Sequence, residues 1–488
     1  MKDAVINSYS KVFYPLFFIF LFLTFSFGRA FSILHIPMGE TPLFVTEIIL
    51  LFGLPVIIAN FKAIFTIPNI ISLLILAYFL LGFTHLLVGI TNKNFYALRD
   101  AVLCIYILFF YLSFIIFSDG GKLKVFLFII LISNIVNIFV GQVFISDFRI
   151  VPNDWKSFLI TTKIFNLCLY YGLTLSFLVA YLNFINDKQH KVYLYLLGIL
   201  NLYVLLFLSS RTAWVACIFL GIYFILILRV KFLKNLSLFI LSIIVIFGIF
   251  HYINPRFNSD GKIKNIILKT RSSLFFIKNS LCNGKKEAPI AKAGTAQGFT
   301  QEPSSVSDIF SGTTEEYDNL RFRSRIWKTA FEFGLEKPFL GNGFGIYPVY
   351  LNWDSSPMLT VTGKRTYVNS GVIPTHNHLV SIFYKMGLLG FCLFLFINIS
   401  VFVYSLNYLQ TCKHILNKIF LIGGLGGIVF WNTMALFFDV IDSPPTSIFL
   451  WILIGLVLAC IEADKKSGER KNKMHFSTDN ITGIESPV

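Results

Sequence analysis

Long runs of Phe, Leu and Ile, separated by short polar segments, are the feature that most limits how this chain can fold. Many of the runs are close to the roughly 20 residues that a helix needs to cross the hydrocarbon core of a bilayer. The runs do not alternate between apolar and polar residues, so they predict membrane helices rather than barrel strands. The 56% hydrophobic and 14% charged content also excludes an ordinary soluble domain. The sequence predicts an all-α, polytopic integral membrane protein.

The apolar runs predict about 12 transmembrane helices. They are 12–28, 43–60, 70–90, 101–117, 123–142, 159–184, 192–208, 213–230, 236–253, 379–406, 418–438 and 447–463. Lys and Arg are concentrated in the loops on the side of the N-terminus, which predicts that both termini are cytoplasmic. The net charge of +16 therefore reflects membrane topology, and we expect no nucleic-acid partner. No small-residue cleavage site follows the first run, which predicts an anchor rather than a removable signal peptide.

These spans divide the chain into four predicted parts. Residues 1–253 carry transmembrane helices 1–9, and residues 254–375 form one large loop on the outer side of the membrane. Residues 376–463 carry helices 10–12, and residues 464–488 form a cytoplasmic tail. The large loop is the most polar part of the chain between apolar runs, so we expect it to carry part of the functional site.

The large loop itself divides into segments. In residues 262–279, apolar residues recur at helical spacing among Lys and Arg, which predicts a basic amphipathic helix on the membrane surface. Residues 283–318 are rich in small and polar residues, which predicts a mobile insertion. The remaining residues, 321–376, form the motif region.

A second amphipathic helix is predicted from Arg323 to Leu335 in the motif region. The residues expected to face the protein are Ile326, Trp327, Ala330 and Phe331. Pro338 and the glycines Gly341, Gly343 and Gly345 are expected to end the helix in turns. No strand precedes these glycines, so they predict a tight turn rather than a dinucleotide-binding loop.

Charged residues gather near the outer ends of the predicted spans. They are Arg29, Glu47, Arg99, Asp100, Lys163, Arg211, Asp439 and Asp442. Charges at such positions are costly and often functional, so several at one depth predict a polar cavity open to the outer side. Each residue taken singly can also be a loop residue whose charge reaches the membrane surface. For Arg211 the functional interpretation is favoured, because its tight turn contains little other polar content.

The residue types in the loop fit a charged, lipid-attached substrate. Arginine binds a diphosphate with two parallel hydrogen bonds and keeps its charge. His376 precedes helix 10 and can act as a general base or as a hydrogen-bond donor to a phosphate. His376 and His378 lie two residues apart and point in different directions on a helix, which disfavours a metal pair. The seven cysteines lack paired spacing, so we expect no zinc site, disulfide framework or cofactor.

Together these motifs resemble the signature of the O-antigen ligase and O-antigen polymerase superfamily. The matching residues are Arg323-x-x-x-Trp327, Pro338-x-x-Gly341-x-Gly343, His376-Asn377-x-x-Val380, Gly387-Leu388-Leu389-Gly390 and the turn Ser210-Arg211. The resemblance implies a GT-C-like fold and a metal-independent glycosyltransferase of the bacterial inner membrane. It implies an undecaprenyl-diphosphate-linked glycan as donor, with the active site facing the periplasm.

Carried over to this chain, the resemblance assigns roles to three residues. Arg211 and Arg323 would bind the diphosphate, and His376 would activate or orient the acceptor hydroxyl. Arg325 is an alternative to Arg323, because the repeat Arg-x-Arg-x-Arg leaves the alignment open by two positions. Further candidate substrate-binding residues are Arg99, Lys163, Asn377 and Glu47. One departure from the family pattern is Lys385, where the family commonly has Glu.

The chemistry expected from the resemblance is direct displacement at the anomeric carbon, with inversion. A lipid diphosphate is already a good leaving group, so fixed cations and a positioned acceptor are sufficient. The acceptor is left open between another lipid-linked glycan, lipid A-core and the Ser or Thr of a protein, with a preference for the first two. A flippase of lipid-linked sugars is the alternative from another class, disfavoured because the charges lie at the outer end rather than at midplane.

Overall fold

The computed structural model describes residues 2–32, 34–38, 41–92, 96–139, 164–207, 210–229, 315–346, 349–351, 357–359, 365–367, 371–373, 375, 377–438 and 444–479. The chain forms two compact units, Met1–Ser237 with Ile326–Val488, and Leu238–Arg325. The second unit is described only at residues 315–325. The predicted amphipathic helix 262–279 and most of the predicted insertion 283–318 lie outside the described residues.

The described elements are mostly helices. They are α1 (Lys2–Phe27), α2 (Arg29–Ser32), α3 (Val45–Ala59), α4 (Phe61–Ile64), α5 (Asn69–Thr91), α6 (Tyr96–Asp100), α7 (Val102–Ile105), α8 (Leu108–Phe117), α9 (Gly120–Phe139), α10 (Ile164–Leu182), α11 (Lys188–Phe207), α12 (Arg211–Leu228), α13 (Glu315–Glu336), α14 (His378–Leu409), α15 (Ile415–Ala435) and α16 (Pro444–Asp479). The strands are β1 (His35–Met38), β2 (Thr41–Phe44), β3 (Val349–Leu351), β4 (Pro357–Leu359), β5 (Arg365–Tyr367) and β6 (Gly371–Ile373). They form three antiparallel pairs, β1–β2, β3–β6 and β4–β5, which the sequence did not predict.

Seven helices in the described part of the chain are long and apolar enough to cross a membrane. They are Ser8–Phe27, Asn69–Thr91, Ala97–Phe117, Gly120–Phe139, His378–Leu409, Ile415–Ala435 and Thr446–Gly468. Shorter apolar helices at Val45–Ala59, Leu167–Leu182 and Thr212–Leu228 also coincide with predicted spans. The prediction of a mostly helical membrane protein is confirmed, with a small content of sheet that the sequence did not predict. The number of spans stays a prediction, and the span 236–253 lies outside the described residues.

The last helix continues beyond its predicted end. Helix α16 extends to Asp479, whereas the apolar run ends near residue 463. The residues that follow the run include Lys, Glu and Arg, which favour helix. The first part of the predicted cytoplasmic tail is therefore a continuation of α16.

Polar side chains join helices inside the bundle. Asn134 on α9 and Asn201 on α11 exchange two amide hydrogen bonds, each 2.8 Å long. The Ser176 hydroxyl on α10 donates to the Gly423 carbonyl on α15 over 2.7 Å. In a membrane, where lipid gives no hydrophobic driving force between helices, such bonds and close packing hold the helices together.

Close packing is concentrated on the glycine-rich face of α15. An added Cβ on Gly423 would lie 2.6 Å from Phe177 Cδ1, and one on Gly424 would lie 2.6 Å from Val457 Cγ2. Real side chains do not approach so closely, so glycine is required for α10 and α16 to pack at these distances. The four glycines Gly423, Gly424, Gly426 and Gly427 thus place α15 in the centre of this helix group.

The Asp464 carboxylate holds the connection between α14 and α15. It accepts hydrogen bonds from the Tyr408 hydroxyl at 2.9 Å, from the His414 amide at 2.9 Å and from the Lys413 amide at 3.2 Å. The Asp464 residue is only 5% exposed. A buried carboxylate with several donors stabilises the backbone that it contacts, so Asp464 fixes the loop between the two helices.

We expect Asp464→Ala to destabilise the protein by about 1–3 kcal/mol, because it leaves buried donors without an acceptor. The matched control is Glu462→Ala, which removes a carboxylate from the same helix but breaks only an i,i+4 pair with the half-exposed Lys466. That change should alter stability by no more than about 1 kcal/mol. Thermal unfolding in detergent micelles measures both, and equal losses in the two variants would contradict the role of Asp464.

Candidate functional site

The motif region begins on α13, whose residues from Ile326 onward belong to the first compact unit and have a buried side. Ile326 is 3% and Ala330 0% exposed, in agreement with the predicted inward face. The Trp327 indole N–H donates to the Thr375 carbonyl over 2.7 Å. This bond ties α13 to the segment that directly precedes α14.

Phe331 differs from its predicted position. It is 51% exposed, although it was expected to face the protein. Its ring stacks on that of Phe383, with ring centroids 5.3 Å apart, and about half of the residue remains exposed. The prediction was wrong because the same helical spacing of apolar residues is found whether they contact protein or lipid. The spacing therefore does not show which of the two Phe331 contacts.

Helix α14 bends sharply at Gly387, whereas the sequence predicted one continuous helix over 379–406. Gly387 has φ 66° and ψ −168°, which is not helical. The ring of His378 lies 4.8 Å from that of Phe394, although 16 residues of straight helix would separate them by about 24 Å. The segment 378–386, which we name the short arm, therefore folds back beside the long arm, 388–409.

The turn formed by residues 338–345 docks on this bend, and we name it the glycine turn. The Asn342 amide donates to the Tyr384 carbonyl at 2.8 Å, and the Gly343 amide donates to the Lys385 carbonyl at 2.9 Å. The Leu388 amide in turn donates to the Pro338 carbonyl at 2.7 Å. A bend removes intrahelical hydrogen bonds, and the glycine turn satisfies the groups that are released.

The docking requires glycine on both sides. Gly341 has φ 73°, and an added Cβ there would lie 2.5 Å from the Gly387 nitrogen. An added Cβ on Gly387 would meet the Phe339 carbonyl oxygen. Both positions therefore need a residue without a side chain, for the close approach and for the left-handed backbone. This agrees with the predicted tight turn.

A buried ion pair lies beneath the glycine turn. The Lys385 ammonium is 2.8 Å from Asp100 Oδ1, and the Gly345 amide donates to Asp100 Oδ2 over 2.7 Å. The two side chains are 2% and 1% exposed. One carboxylate thus joins the end of α6, the glycine turn and the short arm of α14. The sequence named Asp100 and Lys385 separately, but it gave no signal that they pair.

The start of α14 is fixed by two contacts of Asn377. Its side-chain oxygen caps the helix by accepting from the Val380 amide at 3.1 Å, and its amide donates to the Leu436 carbonyl at 2.8 Å. On the other side of His376, the buried Thr375 hydroxyl donates to the Asn377 carbonyl at 2.9 Å. His376 itself lies outside the described residues, but both of its neighbours are held.

Comparison with known protein families gives a match to part of the chain. Residues 196–395 match the family model described as O-antigen ligase. This segment of the chain is similar to O-antigen ligases. The predicted superfamily is confirmed, and the matched segment includes Arg211, Arg323 and His376. No curated protein matches the chain.

Within the matched segment, Arg211 is the first residue of α12. Ser210 caps this helix, with its hydroxyl accepting from the Ala213 amide at 3.4 Å. The partial positive charge of a helix N-terminus favours anions. Arg211, the first residue of α12, therefore lies at a position that suits a phosphate group. The side chain of Arg211 lies outside the described part, and no contact is assigned to it.

Arg323 and Arg325 both lie in α13, near the start of the motif region. The Arg323 side chain is half-buried, and this burial lowers the pKa of its guanidinium. Because arginine ordinarily loses its proton only far above neutral pH, the group keeps its charge at neutral pH. The Arg325 side chain is not among the described ones, so the choice between the two arginines stays open.

The other predicted substrate-binding residues are separated. Glu47 is in the first turn of α3, where the Tyr106 hydroxyl donates to one of its carboxylate oxygens. Arg99 is exposed at the end of α6, next to the buried Asp100. The structure thus brings the glycine turn, Asp100 and Lys385 together and does not join Glu47 or Arg99 to them. Lys163 lies outside the described residues.

His378, beside the catalytic candidate, is part of the packing of the helical bundle. It is 0% exposed, and its ring meets those of Phe394 and Trp431 edge-on, with centroids 4.8 and 5.5 Å away. Where side chains are described, no group of three or more His, Cys, Asp or Glu is placed to hold a metal ion. Because His376 is not among them, metal independence stays a prediction.

A residue that the sequence did not single out is His85 on α5. Its ring lies 5.6 Å from that of Phe344 in the glycine turn. A histidine within an apolar run is a visible signal, since polar residues in membrane helices are costly. His85 therefore joins the residues that line the glycine turn.

We expect Gly387→Ala and Gly341→Ala each to destabilise the domain by at least about 1–3 kcal/mol, the cost of an unfavourable backbone region alone. The control is Gly221→Ala in α12, where an added Cβ meets nothing within 4 Å. That change should be neutral or stabilising by up to about 1 kcal/mol. The measurement is thermal unfolding of the three purified variants. An equal change in stability in all three would contradict the docking of the glycine turn on the bend of α14.

We expect Asp100→Asn or Lys385→Met to cost about 3–5 kcal/mol each, because each leaves a buried charge without its partner. The double variant should lose less than the sum of the single losses. The reversed pair, Asp100→Lys with Lys385→Asp, should remain less stable than the natural protein, since the Gly345 amide then loses its acceptor. The free energies of unfolding of the single and double variants give the coupling energy between Asp100 and Lys385. Strictly additive losses of stability would contradict the ion pair.

Proposed function

We propose that this protein is a membrane glycosyltransferase of surface-polysaccharide assembly. It transfers a glycan from undecaprenyl diphosphate, in O-antigen or related polymerisation or ligation, on the periplasmic side of the inner membrane. The observation that carries the proposal is the O-antigen ligase match over 196–395, which contains both candidate arginines and the candidate histidine. The apolar helices of the bundle are consistent with a lipid-linked donor.

The proposed architecture is GT-C-like, with about 12 spans and both termini in the cytoplasm. Its proposed parts are the spans in 1–253, a periplasmic loop over 254–375, the spans in 376–463 and a tail over 464–488. Basic residues on the predicted cytoplasmic side support this orientation. The position of Arg211 at the start of α12 and of Asn377 at the start of α14 supports a site at the helix ends.

The proposed donor site uses the arginines. Arg211 and either Arg323 or Arg325 bind the diphosphate, because a guanidinium donates two hydrogen bonds to phosphate oxygens. The helix N-terminus that begins at Arg211 adds a favourable field for the same group. As the donor bond breaks, negative charge grows on the diphosphate, and fixed cations stabilise it most at that stage.

The proposed acceptor site uses His376. The acceptor hydroxyl oxygen attacks the anomeric carbon, and His376 takes its proton or orients it. The bond from the anomeric carbon to the diphosphate oxygen breaks, and the diphosphate leaves with the electron pair. The capped helix start supports this role, since Thr375 and Asn377 hold the backbone on both sides of His376. Attack from the face opposite the leaving group inverts the anomeric centre.

The acceptor defines the biological role, which we propose to be another lipid-linked glycan or lipid A-core. Substituting the site residues in cells and following surface glycan length separates this enzyme from a flippase. Loss of chain length with normal appearance of single repeat units supports transfer. Loss of single repeat units at the outer surface would instead support a transporter.

The direct test uses purified protein in nanodiscs with an undecaprenyl-diphosphate-linked glycan and EDTA. We expect product formation, with kcat reduced about 100-fold or more in Arg211→Ala, Arg323→Ala and His376→Ala. The control is Arg229→Ala, an exposed arginine at the opposite end of α12, which should retain activity. A strict requirement for a divalent metal, or full activity in His376→Ala, would contradict the mechanism.

A further inference from the structure

A strip of large apolar side chains lies exposed along α13 and the glycine turn. Phe331 is 51%, Leu335 54%, Phe339 71% and Leu340 55% exposed. Phe331 and Leu335 are four residues apart, so they lie on one face of the helix, and the strip continues into the turn. Soluble proteins rarely leave such a contiguous apolar surface uncovered, so this strip marks a contact with something outside the chain.

The helix has three distinct sides in its second half. Ile326, Ala330 and Gly334 are buried against the protein, and Phe331 and Leu335 form the apolar exposed side. Glu332 and Glu336, which are exposed, each come one residue after Phe331 and Leu335. Because each residue turns a helix by about 100°, the two carboxylates form a third side next to the apolar one. A helix that lies at a membrane surface needs such an order, with protein, hydrocarbon and water on successive sides.

The strip is continuous with the outward side of the long arm of α14. The Leu388 amide bonds the Pro338 carbonyl at 2.7 Å, and the Leu389 amide bonds the Phe339 carbonyl at 3.2 Å. Leu388 and Leu389 are 44% and 46% exposed. Further along the long arm, the exposed apolar residues are Phe396, Ile399 and Val403. Since α14 is a candidate membrane span, its exposed side chains face lipid, and the strip extends that surface.

We propose that the strip formed by Phe331, Leu335, Phe339 and Leu340 is embedded in the bilayer, where phospholipid acyl chains cover it. Backbone hydrogen bonds from Leu388 and Leu389 hold the strip beside the first turn of the long arm, whose exposed side faces lipid. The strip is therefore expected to contact the hydrocarbon of the bilayer. Lys328, exposed and two turns before Leu335, has a stem long enough to place its ammonium among the headgroups. The embedded strip anchors the glycine turn at a fixed depth, and this role does not depend on glycosyl transfer.

The test uses the photoreactive residue p-benzoylphenylalanine in place of Leu335 or Phe339, one at a time. The matched controls replace Glu332 or Glu336 on the adjacent side of the same helix. Each full-length variant is placed in nanodiscs of palmitoyl-oleoyl phosphatidylethanolamine and phosphatidylglycerol, illuminated, and analysed by intact-protein mass spectrometry. All four positions are exposed, so the bulky residue fits without disturbing the buried side of α13.

We expect an added mass of one phospholipid at 335 and 339 and none above background at 332 and 336. Adducts of equal yield at all four positions would overturn the proposal, because the strip would then be no deeper than the charged side. Absence of lipid adducts at 335 and 339 would overturn it as well. A cross-linked dimer of the chain at these positions would assign the strip to a second copy instead of lipid.

Discussion

The close contact between the backbones of Gly341 and Gly387 is the constraint on which the polar part of this structure depends. It allows the glycine turn to replace the hydrogen bonds that α14 loses at its bend, and the bend in turn places the short arm beside the long arm. Because Asn377 caps the start of the short arm and its side-chain amide donates to the Leu436 carbonyl, the same contact fixes the start of α14 beside the end of α15. A side chain on either glycine would separate the two segments, so the geometry of the helix start follows from the absence of two methyl groups.

The Asp100–Lys385 pair adds a second constraint of a different kind. Backbone hydrogen bonds tolerate many sequences, whereas a buried carboxylate must have its cation and its amide donor in place. Asp100 takes both, from Lys385 and Gly345, and so joins three segments through one side chain. The charge of Lys385 is in turn balanced by Asp100 on a neighbouring helix.

Much of the fold and part of the candidate site could be predicted, because the signals are local. The apolar runs, the end of α13 before Pro338 and the turn at the glycines each depend on residues close in sequence. The exposure of Phe331 and the bend at Gly387 could not be predicted in the same way. An apolar residue at helical spacing suits protein and lipid equally, and a glycine within an apolar run is compatible with a straight membrane helix. The pairing of Asp100 with Lys385 spans 285 positions, and no local pattern carries it.

The apolar runs and the motif spacing indicate a helical membrane protein with a segment similar to O-antigen ligases, because both are properties of residues close together in the chain. The sequence also singled out Arg211, Arg323 and His376, whose roles remain proposals. Only the packed chain shows that α14 folds back on itself, that the glycine turn docks there and that a buried ion pair lies beneath it. The physical reason is that these features arise from contacts between distant segments. Such contacts depend on which helices become neighbours, and that is fixed only when the whole chain packs.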